Sequence, residues 1–366
     1  MRQETLRRKN WIDAAKAVAI LIVVLNHSGI VIPGVNFWGG MFYVPSFFLL
    51  AGYTYTRKEE SYKSFVKRKA KRLLAPYFTA NGILFLVFFV KDLLTGSLHL
   101  RRILLSLAGI LYGRTQLFKS EGSLVIFEAP MPNVSIMLNQ NAPTWFLPAL
   151  FLVLICADGA FRLMKGSGKR VNLLVAVFAG VMLVNHYLSP FLMPWCLDIL
   201  PYLLVFFLIG YELKEKQGFE WLDRQKISVK CALVLGTVLL TVMSGLYNGS
   251  FNLSISYFGK SVAVCLVCAV GATLLLLLFL RWLDQKAAKI TAWIGRLSKY
   301  NMTILCYHYF VMQVFFAFAE ALRPGISNGT GAPAVLIRLA GIVICVGVCV
   351  AGDMGYHKLV KKKAKN

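Results

Sequence analysis

The sequence predicts an all-α polytopic integral membrane protein, and three observations carry that prediction. Of its 366 residues, 58% are hydrophobic and only 15% are charged, with a mean hydropathy of +0.64. A soluble domain of this length could not bury so much apolar surface. Apolar runs near the ~20 residues needed to cross a ~30 Å hydrocarbon core recur along the whole chain. Basic residues gather in short segments between those runs, as the positive-inside rule expects. The net charge of +24, from 40 Lys and Arg against 16 Asp and Glu, would suggest nucleic acid in a soluble chain. Distributed in this way it reads as membrane topology, with no nucleic-acid partner.

The runs fall at 11–32, 37–56, 74–94, 143–162, 171–189, 196–213, 230–247, 258–281, 300–321 and 334–357, giving about ten transmembrane helices. A shorter stretch at 103–113 is too short to cross and reads as a re-entrant or interfacial helix. With both termini cytoplasmic, the inside segments are 1–10, 57–73, 163–170, 214–229, 282–299 and 358–366. They hold Arg57-Lys58, Lys67-Arg68-Lys69-Ala70-Lys71-Arg72 and Lys361-Lys362-Lys363, whereas the outside segments hold only Arg101, Arg102, Arg114, Lys119 and Arg323. A crossing by 103–113 would destroy this asymmetry. The whole chain, 1–366, reads as one membrane-embedded domain without a tandem repeat. The first run lacks a small-residue cleavage site and is followed at once by another, so it is a span and not a signal peptide. The short Lys-rich tail and the lack of a presequence suit the cytoplasmic (inner) membrane of a bacterium.

The eight cysteines lie in or beside apolar runs with no metal-type spacing, so neither a metal site nor disulfides are expected. The segment 95–142 is too long for a plain connector and carries Pro130, Pro132, Glu121, Glu128 and Asn139-Gln140-Asn141. It reads either as a lid or binding element or as a surface loop.

His27 is the first candidate for chemistry, because an ionisable side chain deep in an apolar run is expensive. Imidazole can enter neutral and is the side chain best suited to moving a proton near pH 7. Counted from residue 11, His27 is ~24 Å along its helix and in the outer half of the membrane; Asp13 is ~21 Å back along the same helix. Asp13 therefore belongs at the cytoplasmic end, where a carboxylate favours a helix N-terminus. A catalytic His27 needs a partner from another span. Otherwise it is a neutral histidine bonded to a neighbouring helix.

The basic run ending at Arg72 is followed by Leu73-Leu74-Ala75-Pro76-Tyr77. It reads either as an ordinary cytoplasmic loop or as a phosphate clamp for an anionic donor, for which Arg offers bidentate bonding. Pro76 would start or kink the third span. Thr144-Trp145-Phe146-Leu147-Pro148 opens the fourth span, where Trp fits either the aromatic belt or an acceptor site. Ser298 to His308 puts a further histidine in the inner half of the ninth span. His99, His186 and His357 lie near span ends or in a loop and read as structural. No phosphate-cradling glycine loop, zinc spacing or serine-hydrolase elbow is present.

Together these residues resemble the membrane acyltransferase-3 family, especially its fucose 4-O-acetylase-like branch. The resemblance rests on Asp13 and His27 in the first span, and on Phe47-Phe48-Leu-Leu-Ala-Gly52-Tyr53 in the second. It continues with the basic segment ending Arg72-Leu-Leu-x-Pro76-Tyr77, then Trp145-Phe146-Leu147, and the late Tyr307-His308. These elements keep the family order over nearly the whole chain. Two departures are visible. Family proteins often carry Arg-x-x-Arg in the basic segment, but here Lys69 stands three before Arg72 and Arg68 four before it. Ala51 replaces the serine usual in the second-span motif, so no hydroxyl role belongs there.

The resemblance implies an integral membrane O-acyltransferase that moves an acyl group, usually acetyl from acetyl-CoA, to a hydroxyl of a glycan or related envelope molecule. His27 would be the catalytic histidine, with Asp13 its companion in the first-span motif. Arg72 with Arg68 or Lys69, together with His308, would serve the CoA donor. Trp145 and Asn141 would serve the acceptor. His27 could act as a general base or carry the acyl group itself, and both stay open. A transporter or flippase would share the buried ionisable groups, and a non-catalytic sensor on the same scaffold is the third class.

Overall fold

A computed structural model describes residues 10–32, 34–118, 142–164, 191–327 and 331–363, with isolated positions between 170 and 184 and residue 329. The long apolar runs form long helices. In chain order the α-helices include α1 (Asn10–His27), α2 (Val35–Tyr53), α3 (Tyr62–Leu94), α4 (Leu100–Tyr112), α5 (Phe146–Leu163) and α6 (Leu200–Glu215). There follow α7 (Gly218–Arg224), α8 (Ile227–Asn248), α9 (Val262–Gly295), α10 (Asn301–Leu322) and α11 (Ala332–Lys363). Among the described residues, eight helical stretches are long and apolar enough to cross a membrane, and one of these, Val262–Leu322, contains both α9 and α10. Nine of the ten runs read from the sequence therefore coincide with helices. The remaining run, 171–189, lies largely outside the described residues.

Two helix boundaries differ from the sequence reading, each for a local reason. Helix α1 stops at His27 rather than continuing to 32. Ser28 Oγ donates to the Leu25 carbonyl (2.7 Å) and accepts from the Ile30 amide (3.2 Å), and Gly29 takes the left-handed φ of +73° that glycine tolerates. Helix α3 begins at Tyr62 rather than at 74, because the Ser61 side chain accepts from the Ser64 amide and caps it. The basic run is thus helical and not a loop. Pro76 lies inside α3, one of the two placements the sequence allows, and removes the hydrogen bond that the Arg72 carbonyl would otherwise receive. Helix α9 is interrupted at Ala287 (φ −145°, ψ 60°).

Helix α4 has 13 residues, a length of ~20 Å, which falls short of a crossing. Its C-terminus is fixed by three side chains: Tyr77 Oη, Trp195 Nε1 and Tyr112 Oη donate respectively to the carbonyls of Ile110, Leu111 and Leu192. Leu100, Leu104, Leu107 and Leu111 form an exposed apolar stripe along it, the pattern of a helix lying at an interface.

The chain divides into two units: Met1–Phe47, Ala232–Thr241 and Cys268–Asn366 form the first, and Phe48–Cys231 with Val242–Val267 the second. In the first, α1 lies along α10 and the turn Arg296–Tyr300, and α10 lies along α11. Gly341 lets α11 approach Phe315 and Phe316 of α10. In the second, α5 packs against α3 and α6. Helices α2 and α6 cross there through paired glycines. A Cβ on Gly52 would fall 1.8 Å from the Phe207 carbonyl oxygen, and one on Gly210 would fall 1.9 Å from that of Leu49. Small residues allow such close backbone approach between apolar helices.

Candidate active site

Two constellations carry the candidate chemistry, one in each unit. In the first unit His27, the last residue of α1, presents an exposed side chain. Its ring centroid is 5.2 Å from that of His308 and 5.2 Å from that of Tyr309. His308 is fully buried, and its Nδ1 lies 2.7 Å from the Ile304 carbonyl oxygen. A carbonyl can only accept, so Nδ1 bears the proton and the neutral ring keeps its lone pair on Nε2. That Nε2 is buried without a hydrogen-bond partner among the described residues. The Cys345 thiol donates to the His308 carbonyl (3.2 Å) and ties α11 to the same turn.

The end of α1 is held by Asn36, which donates to Asn26 Oδ1 and to the Ile30 carbonyl (both 2.9 Å) and accepts from the Ile32 amide (2.7 Å). Neither Asn36 nor Tyr309 was singled out from the sequence. An asparagine at a helix start in an apolar region was the available signal for the first.

The sequence put His27 in the outer half of the membrane and His308 in the inner half; the structure instead brings the two rings together. The reason is register. Asn301 Nδ2, at the start of α10, donates to the Lys16 carbonyl (3.0 Å), so α10 begins beside the second turn of α1 rather than level with its first residue. Asp13 is at the opposite end of α1, ~21 Å along the axis. There its Cβ is 3.1 Å from the point where a Gly295 side chain would begin, so the turn after α9 closes tightly on it.

In the second unit, Phe65, Arg68, Lys69 and Arg72 recur at helical spacing and share one face of α3. Phe65 is buried, with Arg68 and Lys69 each 5.3 Å from its ring centroid. Arg68 forms a two-pronged ion pair with Glu60, and this guanidinium holds the Glu60 carboxyl below its usual range. Arg72 is exposed, and no ion pair to Lys69 or Arg72 occurs among the described residues. Both Arg68 and Lys69 thus face the same way as Arg72, but Arg68 is already engaged.

A buried carboxylate anchors this face. Asp158 of α5 accepts from Tyr55 Oη and from Arg162 Nε (2.5 Å each), and Arg162 Nη1 donates to the Glu60 carbonyl (2.8 Å). In the sequence alone, an aspartate inside the apolar run 143–162 signals this network. Trp145 is half-buried at the end of the turn Ala142–Trp145, and its neighbour Thr144 accepts from Asn81 Nδ2 (3.1 Å). Asn141 and His186 lie outside the described residues. No cluster able to hold a metal ion is found among the described residues.

These features define a polytopic membrane protein with a paired imidazole on its apolar helices and a cationic face on a separate long helix. The model of the acyltransferase domain matches residues 9–354, nearly the entire chain. The protein belongs to the acyltransferase 3 family and is a membrane acyltransferase. Neither the curated proteins nor the solved structures hold a significant match to it.

Proposed function

We propose that the protein moves acetyl from cytoplasmic acetyl-CoA to a hydroxyl of an extracytoplasmic glycan or envelope molecule, with His27 as the base, in the cytoplasmic membrane of a bacterium. The observation that carries this reading is the accessible His27 imidazole, set beside a second histidine in a chain of this family. Arg72 and Lys69 suit the phosphates of CoA, being cationic, on one helix face and without an ion pair among the described residues. Arg68 joins them once it leaves Glu60. Trp145 and Asn141 belong to the acceptor side.

In the transfer, His27 takes the proton of the acceptor hydroxyl as its oxygen attacks the thioester carbonyl. The C–S bond breaks, and the departing thiolate takes that proton from the His27 imidazolium, giving free CoA and restoring the base. If the acyl group instead passes through a His27 nitrogen, single-turnover reaction without acceptor accumulates labelled protein; the general-base route accumulates none.

The test uses purified protein in nanodiscs with radiolabelled acetyl-CoA and a crude envelope-glycan extract. Thiol release and label transfer by wild type, lost in His27→Ala, are expected. Failure of wild type to bind acetyl-CoA or release thiol from any acyl-CoA would overturn the reading and favour transport.

A further inference from the structure

We infer that His308 is a positioning residue for His27: its Nε2 lone pair accepts the N–H of the His27 ring and holds that ring in the tautomer that takes the acceptor's proton. The inference rests on the acyl-transfer reading above and deepens it. A histidine acting as a base has two nitrogens, and the one that does not face the substrate needs an acceptor once the ring is protonated. In histidine-dependent hydrolases that acceptor is a carboxylate. Here the carboxylate on the same helix, Asp13, is ~21 Å away along α1 and cannot serve.

His308 has the properties the role requires. It is fully buried, and the Ile304 carbonyl, 2.7 Å from Nδ1, fixes which nitrogen keeps the lone pair. The opposite nitrogen, Nε2, is without a partner among the described residues. Buried polar atoms are rarely left so, and an exception calls for an explanation. Two imidazoles joined edge to edge through an N–H···N bond of ~2.9 Å have centroids about 5 Å apart; those of His27 and His308 are 5.2 Å apart. Cys345 bonds the His308 carbonyl, and Asn36 bonds the Ile30 carbonyl just beyond His27, so the backbone is held on either side of the pair.

The two nitrogens of His308 can be tested separately. In His308→Asn the amide replaces Nδ1 and keeps the contact to Ile304, but nothing stands at Nε2. In His308→Gln a polar atom returns near Nε2. Loss of the orienting partner costs serine proteases about 10⁴-fold in turnover, and a neutral imidazole is a weaker partner than a carboxylate. With the full chain in nanodiscs, His308→Asn should lose about 10²-fold in kcat, with KM for acetyl-CoA within about threefold of wild type. His308→Gln should regain at least about tenfold of that loss. Active wild type with Asn and Gln variants equally impaired, or neither impaired, overturns this inference alone. Wild type that releases no thiol overturns the acyl-transfer reading, and this inference with it.

Discussion

His27 and His308 stand with their ring centroids 5.2 Å apart, although His27 ends its helix and His308 lies in the second turn of its own. The His27 residue is exposed, whereas His308 is fully buried. His27→Ala should therefore remove the proposed base without disturbing donor binding. We expect turnover to fall by about 10²–10⁴-fold, the usual contribution of a general base, with the acetyl-CoA Kd unchanged within about twofold. Equilibrium binding and thiol release on the same preparation check both halves. Loss of binding together with turnover would remove His27 from the chemical step.

The cationic face of α3 makes a graded prediction. Arg72→Ala should raise KM for acetyl-CoA by about tenfold or more, since a charge-assisted bond to phosphate contributes about 1.5–3 kcal/mol. Arg68→Ala should raise it less, because Glu60 already occupies that guanidinium. Glu60→Gln should lower KM by freeing Arg68. Acid should reproduce the Glu60→Gln effect only far below neutrality. The Glu60 carboxyl is depressed by Arg68, so the contact persists above its folded value and is lost as pH falls through that value. Initial rates across a donor series for the four proteins would test the order.

How much of this was legible in the sequence follows from how local each feature is. Span existence depends on the length of apolar runs, and nine runs became helices. Helix α3 extended past expectation because a positive-inside segment and a helical extension contain the same residues; only the Ser61 cap separates them. Asp13, His27 and Arg72 could be named from motif residues. The meeting of His27 with His308 could not, since it depends on the register set by Asn301 against Lys16. Asp158 with Arg162 was visible as an i, i+4 pair, but its partners Tyr55 and Glu60 come from another connection. Gly52 was quoted as a motif residue, while its physical role needed the partner helix.

Arg114 was read from sequence as an outside-facing charge, yet it is 1% exposed. It is paired with Asp198, which also accepts from Ser256, and its Nη1 donates to the Ser254 carbonyl (2.5 Å). Breaking such a pair leaves one charge uncompensated, at about 3–5 kcal/mol, whereas replacing both partners with apolar groups is often tolerated. Asp198→Ala should therefore lower the unfolding midpoint in detergent sharply, and Arg114→Met with Asp198→Leu should recover most of the loss. Equal destabilisation by the single and double variants would mean that the bonds to the surrounding loop carbonyls, rather than the ion pair, hold this region.

The glycine crossing of α2 and α6 gives the most direct stability test. At Gly52 an added Cβ would meet the backbone oxygen of Phe207, and at Gly210 that of Leu49. Neither oxygen can move without its helix, so Gly52→Ala must push α2 and α6 apart. Overpacking a tight interior costs about 1–3 kcal/mol, and a clash with backbone belongs at the upper end. Gly82→Ala in α3 is the matched control, because nothing lies within 4 Å of its Cβ. There, helix propensity alone should stabilise, by up to about 1 kcal/mol. Thermal unfolding in nanodiscs should thus move down for Gly52→Ala and Gly210→Ala and stay level or rise for Gly82→Ala. The crossing passes through the second-span motif, so the double variant should lose less than the sum of its parts: once one methyl has parted the helices, the second meets less resistance. Simple additivity would mean that the two glycines relieve separate contacts rather than one shared approach.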